Sequence, residues 1–228
     1  IEMLNILENF DVAGQGFGTR QGLHLIAESL KIAFADRFEY LGDPATMEIP
    51  LDWMTSKDYA NQRAAEIDAS RASEQRAGTR ASESENTTHL TTADYEGNMV
   101  SMTQTINEVF GSKVTVPGTG ILLNNTQAMF DPHPGNPNSV LPNKRVVSSM
   151  SPAIVSRDGK PFLGIGTPGG VRIFGSVMQA IMNVIDHGMT LQEAVEAPRL
   201  WTQGQEVELE QGFGEGPSSG MYGLGHPV

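Results

Sequence analysis

Thr87-Thr88-His89 follows a long polar stretch and opens a run with strand-like alternation. A threonine behind a linker becomes an N-terminal nucleophile once the chain is cut before it. One residue then carries both a hydroxyl and its own base, the α-amine. That amine titrates at about 7.7–8.0, so a useful neutral fraction exists near neutrality. Taken alone, Thr-Thr is an ordinary way to start a strand, so its neighbours have to decide. Thr105 and Asn107 lie two apart and share one face of the strand that would return beside Thr87. A two-residue turn at Gly97-Asn98 would pair Thr87 with Glu108; a longer turn or a bulge would move the partner toward Thr105. A hydroxyl and an amide placed there suit an orienter and a substrate ligand, or simply a polar strand face.

Gly164-Ile165-Gly166-Thr167-Pro168-Gly169 matches G-x-G-x-x-G between a strand and a helix. A dinucleotide site would also need a ribose-binding acid about 20 residues on, at a strand end. Asp186 falls there, but at a helix end, and a hairpin precedes the motif. Glycine-rich backbone at a helix N-terminus still offers free N–H groups to an anion. The oxyanion of an acyl-transfer intermediate is such an anion. Ser148-Ser149-Met150-Ser151-Pro152 is a hydroxyl-rich turn that could also bind a carboxylate. His24, His89, His133, His187 and His226 show no ligand spacing such as H-E-x-x-H, so no metal is expected and most read as surface or packing residues.

Elements that would position these residues can be read from periodicity and punctuation. Helical spacing covers residues 2–10, and Gly14, Gly16 and Gly18 suggest a loop. Residues 20–41 place Leu23, Ile26, Ala27, Leu30, Phe34, Phe38 and Leu41 on one helix face, stopped by Gly42-Asp43-Pro44. Ser56 could cap a third helix over 57–68. Residues 69–86 lack large apolar side chains and read as a mobile linker. Strands are predicted at 88–93 and 99–107, a short one at 121–125, and a hairpin of 153–156 with 161–166 across Asp158-Gly159. Residues 130–142 read as loop. Residues 171–187 form an apolar-faced helix stopped by Gly188, and Thr190 with Glu193 makes a capping box for 191–197, ended by Pro198.

The 228 residues carry 39% apolar side chains and a net charge of −12, with scattered basic residues. That balance disfavours nucleic-acid partners. No run of 18 apolar residues offers a membrane span. The absence of cysteine excludes thiol chemistry and leaves the compartment open. The chain starts at Ile1 without an initiator methionine or signal peptide and stops at His226-Pro227-Val228. It is expected to be a fragment cut at both ends.

Several stretches, in order, resemble the gamma-glutamyltransferase family. They are Leu4-Asn5-Ile6-Leu7-Glu8, Ala35-Asp36-Arg37 with Leu41-Gly42-Asp43-Pro44, Thr87-Thr88-His89, and Gly118 through Asn125. Lys144-Arg145, Ser148 through Pro152, Pro168-Gly169-Gly170 and Ala197-Pro198-Arg199 follow. The resemblance implies an α+β N-terminal-nucleophile hydrolase, a four-layer αββα sandwich incomplete in this fragment. It implies a proenzyme that cuts itself between Asn86 and Thr87. Residues 1–68 would be the helical end of the large subunit, 69–86 the linker, and 87–228 the small catalytic subunit, truncated at its C-terminus. The two subunits would stay together as a processed heterodimer. Thr87 matches the nucleophile, Thr105 the supporting hydroxyl, Asn107 a substrate-binding amide, Ser148 and Ser149 the serines that hold the substrate α-carboxylate, and Gly169 and Gly170 the oxyanion hole. An arginine that also grips the carboxylate belongs to the upstream half. The implied activity transfers or hydrolyses the γ-glutamyl group of glutathione or a related amide through a threonyl acyl-enzyme, without a cofactor. Relatives that act as cephalosporin acylases give an alternative donor, and a non-catalytic binding relative is a third reading. The resemblance points to export, to the periplasm or beyond; the composition also permits a cytoplasmic location. In one place the match breaks: Met129 stands where an acid binds the substrate α-amine, and Asp131 follows two residues later.

Overall fold

The computed structural model describes residues 1–75, 86–204 and 206–228. They divide into two units. A helical unit takes residues 1–80, 133–139 and 178–228; a hairpin unit takes 81–132 and 140–177.

The helical unit begins with α1 (Glu2–Leu7), α2 (Val12–Gln15) and the long α3 (Arg20–Tyr40). Thr19 caps α3 by accepting from the Gly22 N–H, and the chain leaves α3 in extended backbone at Leu41. Of the face predicted from periodicity, Leu23, Ala27, Leu30 and Phe34 are essentially inaccessible, while Ile26, Phe38 and Leu41 are half-buried. Two short helices follow, α4 (Leu51–Met54) and α5 (Lys57–Ala64), the latter capped by Ser56 as expected. Ile6, Ile32, Ala60 and Ala64 form one packed cluster. Small side chains on α5 let the helices approach closely there.

The hairpin unit holds β1 (Asn86–Ala93), β2 (Met99–Asn107), β3 (Ala153–Arg157) and β4 (Lys160–Ile165). β1 and β2 pair antiparallel across a five-residue turn, in which the Asp94 carboxylate accepts from the N–H of Glu96 and Asn98. That length puts Thr87 opposite Thr105, the longer-turn register of the two foreseen. β3 and β4 join at Asp158-Gly159, both at positive φ, the primed turn that fits strand twist. A 3-10 turn (Gly170–Arg172) then leads into α6 (Ile173–Ile185), which is divided between the units. The helical unit ends with α7 (Leu191–Glu196), a pair of two-residue strands β5 (Leu200–Trp201) and β6 (Glu208–Leu209), and α8 (Glu215–Gly223). The Thr190–Glu193 capping box forms as the sequence indicated. The Gln179 side-chain amide bonds both the N–H and the C=O of buried Leu200, at 3.0 and 2.8 Å.

The α+β class is thus seen directly. Among the described residues the strands make three separate two-stranded sheets rather than the broad sheets of a sandwich. Several expectations need correction. Residues 121–125 form less than the expected strand: after a turn through positive-φ Gly118 and Gly120, only 121–123 pair back on 112–116, through the Thr115–Leu122 bridge and the bonds Val116 N–H to Ile121 O, Leu123 N–H to Val114 O and Ser112 N–H to Leu123 O. Gly14 lies in α2, since Asp11 caps that turn. β5, β6, α4 and α8 had no periodic signal, being short or rich in glycine. Of the presumed linker 69–86, residues 69–75 are held: Gln21 bonds Ala69 O, Ala72 N–H donates to Leu224 O, and Ser73 binds Glu28. Asn86 is already in β1. Residues 76–85 lie outside the described part.

Candidate active site

Pairing in β1 and β2 sorts their side chains onto two faces. Thr87, His89 and Thr91 share one face with Thr105, Thr103 and Ser101. Leu90, Val100 and Met102 occupy the other, which is exposed. The chemistry-bearing face is therefore the polar one.

At its end the register shifts: Asn86 pairs with Asn107 and Thr87 with Thr105, leaving Ile106 as the bulged residue. The Thr87 hydroxyl donates to Thr105 Oγ1 at 3.0 Å. Thr105 Oγ1 in turn donates to the Asn86 carbonyl oxygen at 2.9 Å and accepts from the Asn107 N–H at 2.8 Å. One donor and two acceptor positions are all in use, so the directions are determined. The hydroxyl of Thr87 thus sits beside the peptide that joins it to Asn86, while Thr105 polarises that peptide's carbonyl. Asn107 is buried and adopts φ 75°, a strained conformation for a non-glycine residue. Its side-chain Nδ2 donates to Asn125 Oδ1 at 3.0 Å, and the Glu108 N–H reaches the same oxygen at 3.0 Å.

Gly169 has φ 134° and Gly170 φ 55°, where any Cβ is strained. Among the described residues neither N–H meets an acceptor, as expected at the head of a helical segment. Ser148 is exposed and its Oγ accepts from the Met150 N–H at 3.1 Å, while Ser149 is buried. Thr87, Thr105, Asn107 and Asn125 are thus brought together by hydrogen bonds. Neither Ser148, Ser149, Gly169 nor Gly170 bonds the Thr87 hydroxyl, whose partner among the described residues is Thr105.

These residues lie in one continuous family pattern. The family model for gamma-glutamyltranspeptidase matches residues 1–228. The chain belongs to the gamma-glutamyltranspeptidase family. It is 48% identical over 227 residues to the Acylase ACY 1 proenzyme of Pseudomonas sp. strain SE83, covering all of this chain and 41% of that protein. It is 44% identical over 229 residues to the glutathione hydrolase proenzyme of Escherichia coli K12, covering 93% of this chain and 40% of the relative. The crystal structure of cephalosporin acylase from Bacillus halodurans superposes with a TM-score of 0.84 at 33% identity, over 99% of this chain and 40% of that one. The chain therefore spans about two fifths of the length of these gamma-glutamyltranspeptidase relatives.

A second polar cluster in this family member escaped the sequence reading. His24, Glu28 and Lys31 follow one another along a face of α3, and all are buried. His24 Nδ1 lies 2.7 Å from Nε2 of buried His226, and His24 Nε2 lies 2.9 Å from Asp68 O. Lys31 Nζ is 2.8 Å from Glu28 Oε1. Burial, followed by the Lys31 ammonium, pushes the His226 imidazole down to about 4. His24, Glu28 and His226 present three ligand atoms within 4.8 Å of one another. The 2.7 Å nitrogen separation is that of a hydrogen bond, and an ammonium already occupies Glu28, so the donors fit a proton-sharing network better than a cation. The i, i+4 spacing of His24 and Glu28 was the available signal; His226, about 200 residues away in sequence, had none. Asn125 was also missed as a member of the Thr87 group, because only the fold of the loop brings it to Asn107.

Proposed function

We propose that this chain carries the processing junction and most of the small subunit of an autoprocessed amide hydrolase or acyltransferase, with Thr87 as nucleophile. The observation that carries this is the Thr87–Thr105–Asn86 geometry. Thr87 Oγ attacks the Asn86 carbonyl carbon; the C–N bond breaks, an ester forms, and the hydroxyl proton ends on the new α-amine. Water opens the ester, leaving the Asn86 carboxylate and a free Thr87. In turnover that amine takes the Thr87 hydroxyl proton as the oxygen attacks a donor amide. Gly169 and Gly170 N–H groups receive the oxyanion; a donor of this kind is typically worth about 3–4 kcal/mol. The leaving amine departs protonated, and water or another amine takes the acyl group. Asn107, Ser148 and Ser149 would hold the donor. In the whole protein these elements would belong to the four-layer N-terminal-nucleophile fold. The two pieces would stay together after the cut, because the helical unit draws its core from both sides of Thr87: Phe34 packs edge-on to Trp201.

The donor is proposed to lack an α-amine, as a glutaryl amide does. Met129 ends a 3-10 turn, Thr126–Met129, where the family resemblance expects a carboxylate. A thioether cannot pair with an ammonium group, and an unpaired buried charge is costly. Because Met129 is in a 3-10 turn, strand alternation does not carry Asp131 to its side. An acylase proenzyme at 48% identity and a glutathione hydrolase proenzyme at 44% both resemble the chain, so the choice of donor rests on Met129. The test compares kcat/KM for glutaryl and γ-glutamyl anilides in the full-length protein and in Met129→Asp. Wild type should favour the glutaryl donor, and the substitution should raise the γ-glutamyl donor selectively. A wild type that strongly prefers γ-glutamyl, unchanged by Asp131→Asn, would show the amine to be held elsewhere. Failure to self-cleave would favour the non-catalytic reading.

A further inference from the structure

His89 takes no part in the chemistry just described, yet it stands two residues from Thr87 on the same face of β1. Its ring is fixed at both ends. Nδ1 lies 2.9 Å from Thr103 Oγ1 on the facing strand, and Nε2 lies 3.0 Å from Thr91 Oγ1 on its own. Each threonine hydroxyl can donate or accept, so either neutral tautomer is satisfied and the ring plane stays put.

Gly166, the residue that follows β4, lies against this ring. A Cβ on Gly166 would come within 2.3 Å of His89 Cε1 and Nδ1 and 2.9 Å of Cγ. The imidazole therefore occupies the place of the side chain that Gly166 lacks. Gly166 is not at positive φ, so its need for glycine is one of close approach rather than backbone conformation. Gly164 repeats the arrangement one step away: its Cβ would meet Thr91 Cγ2 at 2.5 Å and Met99 Sδ at 2.7 Å. Between them Ser101 Oγ donates to Ile165 O at 3.1 Å. The first two glycines of the G-x-G-x-x-G match are thus seats on the β1–β2 face, which explains a motif that phosphate binding did not.

From Gly166 the chain has only Thr167 and Pro168 before Gly169 and Gly170. Proline fixes its own φ, and the Thr167 hydroxyl donates to Pro168 O at 2.9 Å. So short and stiff a tether passes a shift of Gly166 on to the two free N–H groups. Thr87 and the ring seat share one strand, about 7 Å apart at the usual rise. We propose that His89 is a positioning residue: its pinned ring seats Gly166 and so sets where the Gly169-Gly170 N–H groups stand relative to the Thr87 hydroxyl. This rests on the assignment of Thr87 as nucleophile and of those N–H groups as oxyanion donors.

The prediction follows from what misplacement costs. Shifting catalytic groups by about 1 Å can lower a rate about 100-fold. Donors aimed at the transition state affect kcat, whereas substrate-binding groups affect KM. In the full-length protein, with glutaryl anilide as donor, Gly166→Ala should lower kcat about 100-fold with KM nearly unchanged, because the new methyl meets the ring. His89→Ala should lower kcat less, by about tenfold, since the seat is lost but nothing clashes. The double variant His89→Ala/Gly166→Ala should be more active than Gly166→Ala alone, because the methyl then fills the vacated space. Ser101→Ala, which removes one pin and no seat, should cost a few-fold in kcat and serves if His89→Ala does not mature. Wild-type kcat in Gly166→Ala, a loss confined to KM, or a double variant no better than the product of the two single effects would overturn the proposal. Thr87→Ala separates the two failures. If it still turns over, the nucleophile assignment is wrong; if it is dead while Gly166→Ala is normal, only the role of His89 is wrong.

Discussion

The helical unit and the hairpin unit solve different problems with different residues. Most of the large, fully buried apolar side chains, among them Ile6, Leu23, Leu30, Ile32, Phe34, Leu200 and Met221, belong to the helical unit; in the hairpin unit Leu90, Val100, Met102, Ile154 and Phe162 are exposed and the polar face of β1–β2 is the one that packs. Every non-glycine residue at positive φ among those described, from Asn107 to Asp158, belongs to the hairpin unit. Strain of this kind persists only where the surroundings over-determine it, and it gathers at sites of function. Stability and chemistry are thus largely separated along the chain. One half holds the protein together, and the other holds a hydroxyl, a carbonyl and two N–H groups in place.

That separation can be tested by substitutions that should damage one half and spare the other. Thr87→Ala should abolish self-cleavage and turnover while leaving the melting temperature nearly unchanged; Thr87→Ser should retain part of both. Gel electrophoresis and an anilide assay read the chemistry, and calorimetry reads the fold. The converse variant is Phe34→Ala. It opens a cavity beside Trp201 and Phe38 in a fully buried position and should cost about 3–5 kcal/mol of stability. Its kcat at low temperature should stay close to wild type. A Phe34→Ala protein that melts normally would break the comparison.

Acid should act through the helical unit. The His226 imidazole is held down at about 4 in the fold, against an ordinary value of 6.5. Between those values the unfolded chain binds the extra proton, so stability falls as pH drops from about 6.5 toward 4 and levels off below. Burial is the main cause; Lys31 and His24 add to it and Glu28 opposes it. The loss is at most about 3 kcal/mol at 1.36 kcal/mol per pKa unit. His226→Gln should flatten this part of the stability profile, and an equally steep profile in that variant would assign the acid sensitivity elsewhere. The smallest expected effect is that of Thr190→Ala, which removes the capping box of α7 and should cost about 1 kcal/mol in denaturant titration without touching kcat.

What the sequence made legible follows the same division. Long periodic or capped segments, such as α3, α6 and α7, could be read from spacing because each is determined by residues within a few turns. The Asp158-Gly159 hairpin was readable for the same reason. The β1–β2 register was narrowed to two choices and not decided, since a five-residue turn and a bulge carry no periodic mark. Residues 121–125 read as a strand because their composition suits one, and 121–123 do pair back on 112–116, but too briefly to make a strand element. At the site, Thr87, Thr105 and Asn107 could be grouped by strand alternation. Asn125, the Gly166 seat on His89 and the pairing of His24 with His226 depend on contacts between segments far apart in sequence, for which one chain alone offers no pattern.

The mature small fragment is expected to begin at Thr87. Full-length protein that is active toward an anilide should yield a downstream fragment whose N-terminal sequence reads Thr-Thr-His-Leu, starting at Thr87, with an intact mass to match. Incubation with a slow acyl donor should add the acyl mass to the peptide that carries Thr87. An active protein whose fragment starts at any other residue, or that stays uncut and works, would contradict it.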